Sequence, residues 1–101
     1  MNIISEITIL MVLYDETDEI IFKNLEKIKN FKIIIIDNRG DEKLKDRIIQ
    51  KFKISTYYLS DKNLGFSKGF NKALNFCKTK YAFIKNADCY IDEDNIIKLY
   101  D

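Results

Sequence analysis

Two segments of this chain, Ile7-Thr8-Ile9-Leu10-Met11-Val12-Leu13 and Ile33-Ile34-Ile35-Ile36, are almost unbroken apolar runs. A strand with one face in water alternates apolar and polar residues, whereas a strand covered on both faces is apolar throughout. These runs therefore point to a sheet with a layer on each side. The segment between them has the matching pattern. Ile21, Leu25 and Ile28 fall on one helical face, Thr17 is a capping residue, and Asp18 and Glu19 lie at the positive end of the helix dipole. The spacing predicts a helix from about Thr17 to Lys29.

The alternation continues to the end of the chain. The isoleucine run stops at Asp37-Asn38-Arg39-Gly40, a turn cluster, and Asp41 caps a helix whose Leu44, Ile48 and Phe52 are spaced i, i+4, i+8. Ile54 to Leu59 is the expected third strand. Phe66, Phe70, Ala73, Leu74 and Cys77 form the apolar stripe of a third helix, Tyr81 to Ile84 a fourth strand, and Asp92 the cap of Glu93 to Tyr100. The order is βαβαβαβ. Short connections and right-handed crossovers turn that order into an α/β fold, a Rossmann-like three-layer α/β/α arrangement with a mostly parallel sheet. At 101 residues, without repeat or linker, it is expected to form a single domain.

Charge and composition exclude several classes of function. Lys plus Arg (17) nearly cancel Asp plus Glu (16), so no broad positive field invites nucleic acid. Ile7 to Tyr14 is the longest uncharged apolar run, too short to span a bilayer and not preceded by a basic segment, so no transmembrane segment and a cytoplasmic location are expected. Cys77 and Cys89 lack CxxC spacing and histidine is absent, which leaves neither a zinc site nor a histidine base. A metal, if used, is a hard cation held by oxygen.

Ligands of open parallel sheets bind beyond the carboxyl ends of the strands. Three of the expected strands end there in polar clusters: Tyr14-Asp15, Asp37-Asn38 and Asn86-Ala87-Asp88. A fourth candidate is Asn63-Leu64-Gly65-Phe66-Ser67-Lys68-Gly69-Phe70-Asn71, which is neither GxGxxG nor a Walker loop. Gly65 and Gly69, four apart, permit close backbone approach either to the sheet or to a ligand. Ser67, Asn71 and Asn75 line a polar edge for which a solvated face is the plainer reading, and Lys68 has the charge to neutralise a phosphate in a chain rich in lysine. Asp37 either accepts a hydrogen bond from a nucleobase imide or forms the turn after its strand. Asp88 either supplies one of the few protein oxygens that Mg²⁺ needs beside water and phosphate, or fixes a turn.

Taken in order, these segments resemble the family-2-type glycosyltransferases of GT-A fold. Thr8 to Asp15 is similar to that family's first strand, which closes with a Tyr-Asn-like pair over the nucleotide base; Ile35-Ile36-Asp37-Asn38 is similar to its second, whose terminal aspartate recognises the base. Asn63-Leu64-Gly65-Phe66 through Gly69 and Asn71 resembles its Asn-x-Gly-Phe segment, especially in the rhamnosyltransferase-like branch. Tyr81 to Asp88 resembles the strand leading into the DxD metal motif. The resemblance implies a nucleoside-diphosphate sugar as donor, Mg²⁺ or Mn²⁺ as cofactor, and transfer with inversion. It assigns nucleotide binding to Leu13, Tyr14, Asp15, Asp37, Asn38, Asn63, Gly65, Phe66, Lys68 and Asn71, and the metal to Asp88.

Three positions depart from the pattern: Asp15 replaces the usual asparagine, Phe70 an arginine, and Asn86 the first DxD carboxylate. The family's acceptor site and catalytic carboxylate lie in a second half beyond the matched segments, and Glu93 and Asp94 come too early to substitute. The expectation is thus a truncated GT-A nucleotide-binding half, with no catalytic residue assigned. Two other readings fit the alternation. One is a degenerate, non-catalytic α/β module that self-associates through an exposed sheet edge. The other is a receiver-like signalling domain, which leaves Asn63 to Asn71 unexplained.

Overall fold

The computed structural model describes residues 3–100, the Phe66 side chain excepted. After a single 3₁₀ turn at Ile3–Glu6, the elements are β1 (Ile7–Leu13), α1 (Asp18–Ile28), β2 (Lys32–Asp37), α2 (Glu42–Lys51), β3 (Thr56–Leu59), α3 (Gly65–Phe76), β4 (Tyr81–Asn86) and α4 (Glu93–Tyr100). The four strands pair in the order β3-β2-β1-β4 and every pairing is parallel, so the sheet is wholly rather than mostly parallel.

Successive strand residues point to opposite faces, and each face has its own cover. Ile7, Ile9, Met11, Leu13, Ile33 and Ile35 pack with Ile21, Leu25 and Ile28 of α1, Leu44 and Ile48 of α2 and Ile96 of α4. Leu10, Val12, Ile34 and Ile36 pack on the other side, against Ala73 of α3. This is the three-layer arrangement expected from unbroken apolar strands. Burial of each such side chain contributes about 1.5–3 kcal/mol, which makes the two central strands the main source of stability.

Helix starts follow the expected caps. Thr17 Oγ1 accepts the Ile20 amide at 3.3 Å, Asp41 Oδ1 the Leu44 amide at 3.0 Å, and Asp92 Oδ1 the Asn95 amide at 3.0 Å. Three boundaries and one side-chain facing differ from expectation. Strand β3 begins at Thr56 rather than Ile54, although Ile54 still packs on the core. Phe52 is not helical but the extended cap of α2, its amide bonded to Ile48 O at 2.8 Å, yet it stays buried. In α3 Ala73 is fully buried while Leu74 is 44% exposed, because one residue of helix turns a side chain about 100° off the contact line. Strand β4 runs on through Lys85 and Asn86, two polar residues that the sequence placed beyond its end.

Candidate functional site

From β1 the chain travels outward through β2 to β3, then returns through α3 to set β4 against the other edge of β1. The direction of travel therefore reverses between β1 and β4, the position at which open α/β sheets bind ligands. Val12 pairs with Asn86 at the end of this junction, so the loops that follow β1 and β4 flank one crevice. Tyr14 and Asp15 leave β1 exposed to solvent on one side, and Asp88 leaves β4 exposed on the other. Leu13 differs from them: its side chain is fully buried, and its backbone carbonyl accepts the Asn38 amide at 3.1 Å. Any contact it makes with a ligand is through the main chain.

Asp37, the last residue of β2, is fully buried with its carboxylate occupied. Oδ1 accepts the Arg39 amide at 2.8 Å, and Oδ2 accepts the Asp41 amide at 3.3 Å and the Tyr57 hydroxyl at 2.7 Å. Of the two readings open from sequence, this geometry describes a carboxylate that builds the turn. Burial first, then the hydrogen bond and charge of Asp37, push the Tyr57 pKa up, which keeps its hydroxyl a donor. The Arg39 side chain ties the loops together, donating to Glu16 O at 3.0 Å and lying 3.5 Å from Asp18 and 3.4 Å from Asp41.

Asn38 joins this edge to the entry of α3. Its Oδ1 accepts the Leu64 amide at 3.2 Å, while its Nδ2 is buried without a hydrogen-bond partner among the described residues. Asn63 Oδ1 accepts the Gly65 amide at 2.9 Å, and Gly65 takes φ +75°, a left-handed conformation that disfavours side chains. Gly69 has a different reason to be glycine: a Cβ there would lie 3.1 Å from both Val12 methyls. Its close approach is thus to the sheet.

Lys68 and Asn71 are exposed, and Asn71 lies about 200° around the helix from Gly69, away from the sheet. Ser67 and Asn75 are exposed as well. Phe66, assigned with them, has its side chain outside the described atoms. The structure thus brings together Leu13, Tyr14, Asp15, Asp37, Asn38, Asn63, Gly65 and Asp88 along one edge, and leaves Lys68 and Asn71 on a solvated helix surface.

Beneath Asp88 lies a feature absent from the sequence reading. Lys85 is 2% exposed, and its ammonium donates to Asn24 Oδ1, Cys89 O and, at 3.2 Å, Asn86 O. Asn24, fully buried in α1, donates to Ala87 O and, at 3.1 Å, Ile20 O. Burial lowers the Lys85 pKa to about 8, opposed by the nearby side chains of Cys89 and Asp88, which favour the ammonium when ionised. Two signals were available. The spacing 21-24-25-28 puts Asn24 inside the apolar stripe of α1, and alternation puts Lys85 on the same face as Tyr81 and Phe83.

Among the described residues no group of three or more Cys, Asp or Glu stands together to hold a metal, and no helix is long and apolar enough to cross a membrane. A cavity of about 250 Å³ lies at the opposite, amino-terminal edge of the strands, lined by Thr8, Lys32, Ser55, Thr56, Phe76 and Lys78 among others. None of the residues assigned to nucleotide or metal binding lines it.

The family model for glycosyl transferase family 2 matches residues 8–101, nearly the whole chain. The chain belongs to glycosyl transferase family 2. A curated relative, the uncharacterized glycosyltransferase MJ1057 of Methanocaldococcus jannaschii, is 30% identical over 91 residues, covering 81% of this chain and 31% of the relative. Among solved structures, S. aureus TarS 1-349 superposes with a TM-score of 0.72 at 15% identity, over 94% of this chain and 31% of that one. At that identity the likeness shows the fold alone, and it supports the GT-A-like, Rossmann-like α/β architecture. The chain spans about a third of the length of each of these two proteins. Membership makes it a domain related to glycosyl transfer and removes the ground for a receiver-like reading.

Proposed function

We propose that this family 2 domain binds a nucleoside-diphosphate sugar in the crevice between β1 and β4, for transfer of the sugar to an acceptor. The observation that carries the proposal is the meeting of the β1, β2 and β4 loops with the α3 entry at the sheet's switch point, in a member of a glycosyltransferase family. The unpaired amide of Asn38 supports it, since a buried donor without a partner costs about 1–3 kcal/mol that a ligand acceptor would recover. Tyr14 and Asp15 would flank the base, and Asp37 would shape that end of the crevice. Roughly four lone-pair positions are available on a carboxylate and three hydrogen bonds already engage this one, so Asp37 has little left for direct readout.

The donor set also bears on the cation. Asp88 is exposed and takes no hydrogen bond or ion pair from the described residues. One carboxylate cannot cage a metal, but Mg²⁺ or Mn²⁺ carried by a diphosphate needs only one or two carboxylates from the protein. Asp88 therefore fits a cation that arrives with the donor, and Asn86 at the first position of the motif resembles the Asn-Pro-Asp version of the rhamnosyltransferase-like branch. When bound, that cation would offset charge on the departing diphosphate. The chain's own residues would orient the nucleotide and hold Asp88 in place. A thermal-shift panel of UDP-, dTDP- and GDP-sugars with and without Mn²⁺ tests the proposal. A cation-dependent rise in melting temperature with one of them is expected, and no shift with any would refute it.

A second reading, self-association, has its own observation. Among the described residues β4 pairs on one side only, with β1, and Ile84 on this edge strand is 54% exposed. Sedimentation that shows a dimer, combined with no nucleotide-dependent thermal shift, would favour that reading.

A further inference from the structure

The Lys85–Asn24 pair is an uneconomical piece of packing. A buried ammonium is costly even with a carboxylate beside it, and apolar residues of similar volume usually serve stability as well or better. Here Lys85, 2% exposed, hydrogen-bonds to no carboxylate; its partners are an amide oxygen and two backbone carbonyls. Asn24, from a helix 61 residues earlier in the chain, adds a bond to a third carbonyl, Ala87 O. The three carbonyls are those of Asn86, Ala87 and Cys89, and the Cys89 amide closes the same turn on Asn86 O at 3.1 Å. Asp88, the one remaining residue of the turn, is exposed.

The arrangement thus draws the turn's backbone inward from beneath while leaving the Asp88 carboxylate outside. Violations of ordinary core composition concentrate where function demands them. We propose that Lys85, with Asn24, is a positioning residue for the donor site: it fixes the Asn86–Cys89 turn so that Asp88 is presented to the cation and diphosphate of the donor. The inference rests on the donor-binding reading of Asp88. Its structural half, that Lys85 rigidifies the turn, stands independently of any ligand.

Lys85→Met preserves most of the side-chain volume and removes the charge and all three hydrogen bonds. Calorimetry with Mn²⁺ and UDP or dTDP is expected to show affinity about tenfold weaker than wild type, with the melting temperature unchanged or raised. Asp88→Asn is expected to weaken binding in the wild-type background and to lose at least two-thirds of that effect in the Lys85→Met background. A merely structural lysine would not produce that coupling. Affinity within twofold of wild type, or an Asp88→Asn effect equal in both backgrounds, overturns the proposal.

Should Lys85→Met fail to fold, Asn24→Leu breaks the links to Ala87 and to Lys85 and is judged by the same two criteria. If the wild-type chain binds no donor, the donor-binding reading falls and the positioning claim is decided by hydrogen exchange. In Lys85→Met the Cys89 amide is expected to exchange at least tenfold faster while the amides of β1 are unaffected. Unchanged Cys89 exchange would overturn the claim without reference to any ligand.

Discussion

Adding one methyl group to Gly65 and, separately, to Gly69 distinguishes two reasons for glycine within one helix. At Gly65 the added Cβ meets nothing within 4 Å, so the effect is conformational only. Its φ of +75° places an L-residue in the left-handed region at about 1–2 kcal/mol. Reduced freedom of the unfolded chain returns about 0.4–1 kcal/mol, for a net loss of about 1 kcal/mol in Gly65→Ala. Gly65→Asn should lose less, because asparagine tolerates that conformation. At Gly69 the helix interior favours alanine by about 0.8–1 kcal/mol. Against this stand contacts of 3.1 Å to both Val12 methyls and an overpacking cost of about 1–3 kcal/mol, again a net loss of about 1 kcal/mol.

The origins separate in a Val12→Ala background. There the steric opposition to Gly69→Ala is gone and the substitution should become stabilising by about 0.8–1 kcal/mol, whereas the cost of Gly65→Ala should be unchanged. Urea denaturation of the six chains, with a shared m-value, provides the assay. In a domain of this size about 1 kcal/mol moves the melting temperature by about 4–8 °C, well within reach. A stabilising Gly69→Ala in the wild-type background would refute the close approach of α3 to β1. A neutral Gly65→Ala would refute the left-handed start of α3.

Three further outcomes follow from the polar and charged side chains. Tyr57→Phe removes a donor from the buried Asp37 carboxylate and should lose about 1.5–3 kcal/mol in urea denaturation; a loss below about 0.5 kcal/mol would mean that the bond does not hold the turn. Lys85 keeps its proton to about pH 10.5 when unfolded but only to about pH 8 when folded, so its burial penalty is full below pH 8 and fades as the pH rises toward 10.5. Wild type should therefore gain stability relative to Lys85→Met between pH 8 and pH 10, and a flat difference would contradict this. The Arg47 hydrogen bond holds the Asp18 pKa below its ordinary 3.8, a contribution present above that pH and lost as the pH falls. Arg47→Ala should raise the Asp18 midpoint in an NMR titration and cost under about 1 kcal/mol, since the pair is partly exposed.

Much of the fold was legible because its strands are buried on both faces. Ile7–Leu13 and Ile33–Ile36 have no alternative use for so many apolar side chains, and the capping residues Thr17, Asp41 and Asp92 do what their chemistry suggests. The end of β4 was missed because Lys85 and Asn86 look like loop, and polarity outweighed alternation. Lys85 belongs to the strand because Asn24 lies opposite it, and no local pattern links residues 61 apart. Asp37 shows the same limit: its position at the strand end was readable, but its occupancy by Tyr57 from β3 was not. Gly65 and Gly69 looked like one motif and proved to be two separate local requirements.

Calorimetry of the wild-type chain and Asp88→Asn with the best nucleotide sugar from the panel, with and without Mn²⁺, tests the central claim most directly. Saturable binding that requires Mn²⁺ in wild type and is at least tenfold weaker in Asp88→Asn is the predicted result. Absence of binding in wild type, or equal affinity in the two chains, would contradict a donor site between β1 and β4 with its cation at Asp88.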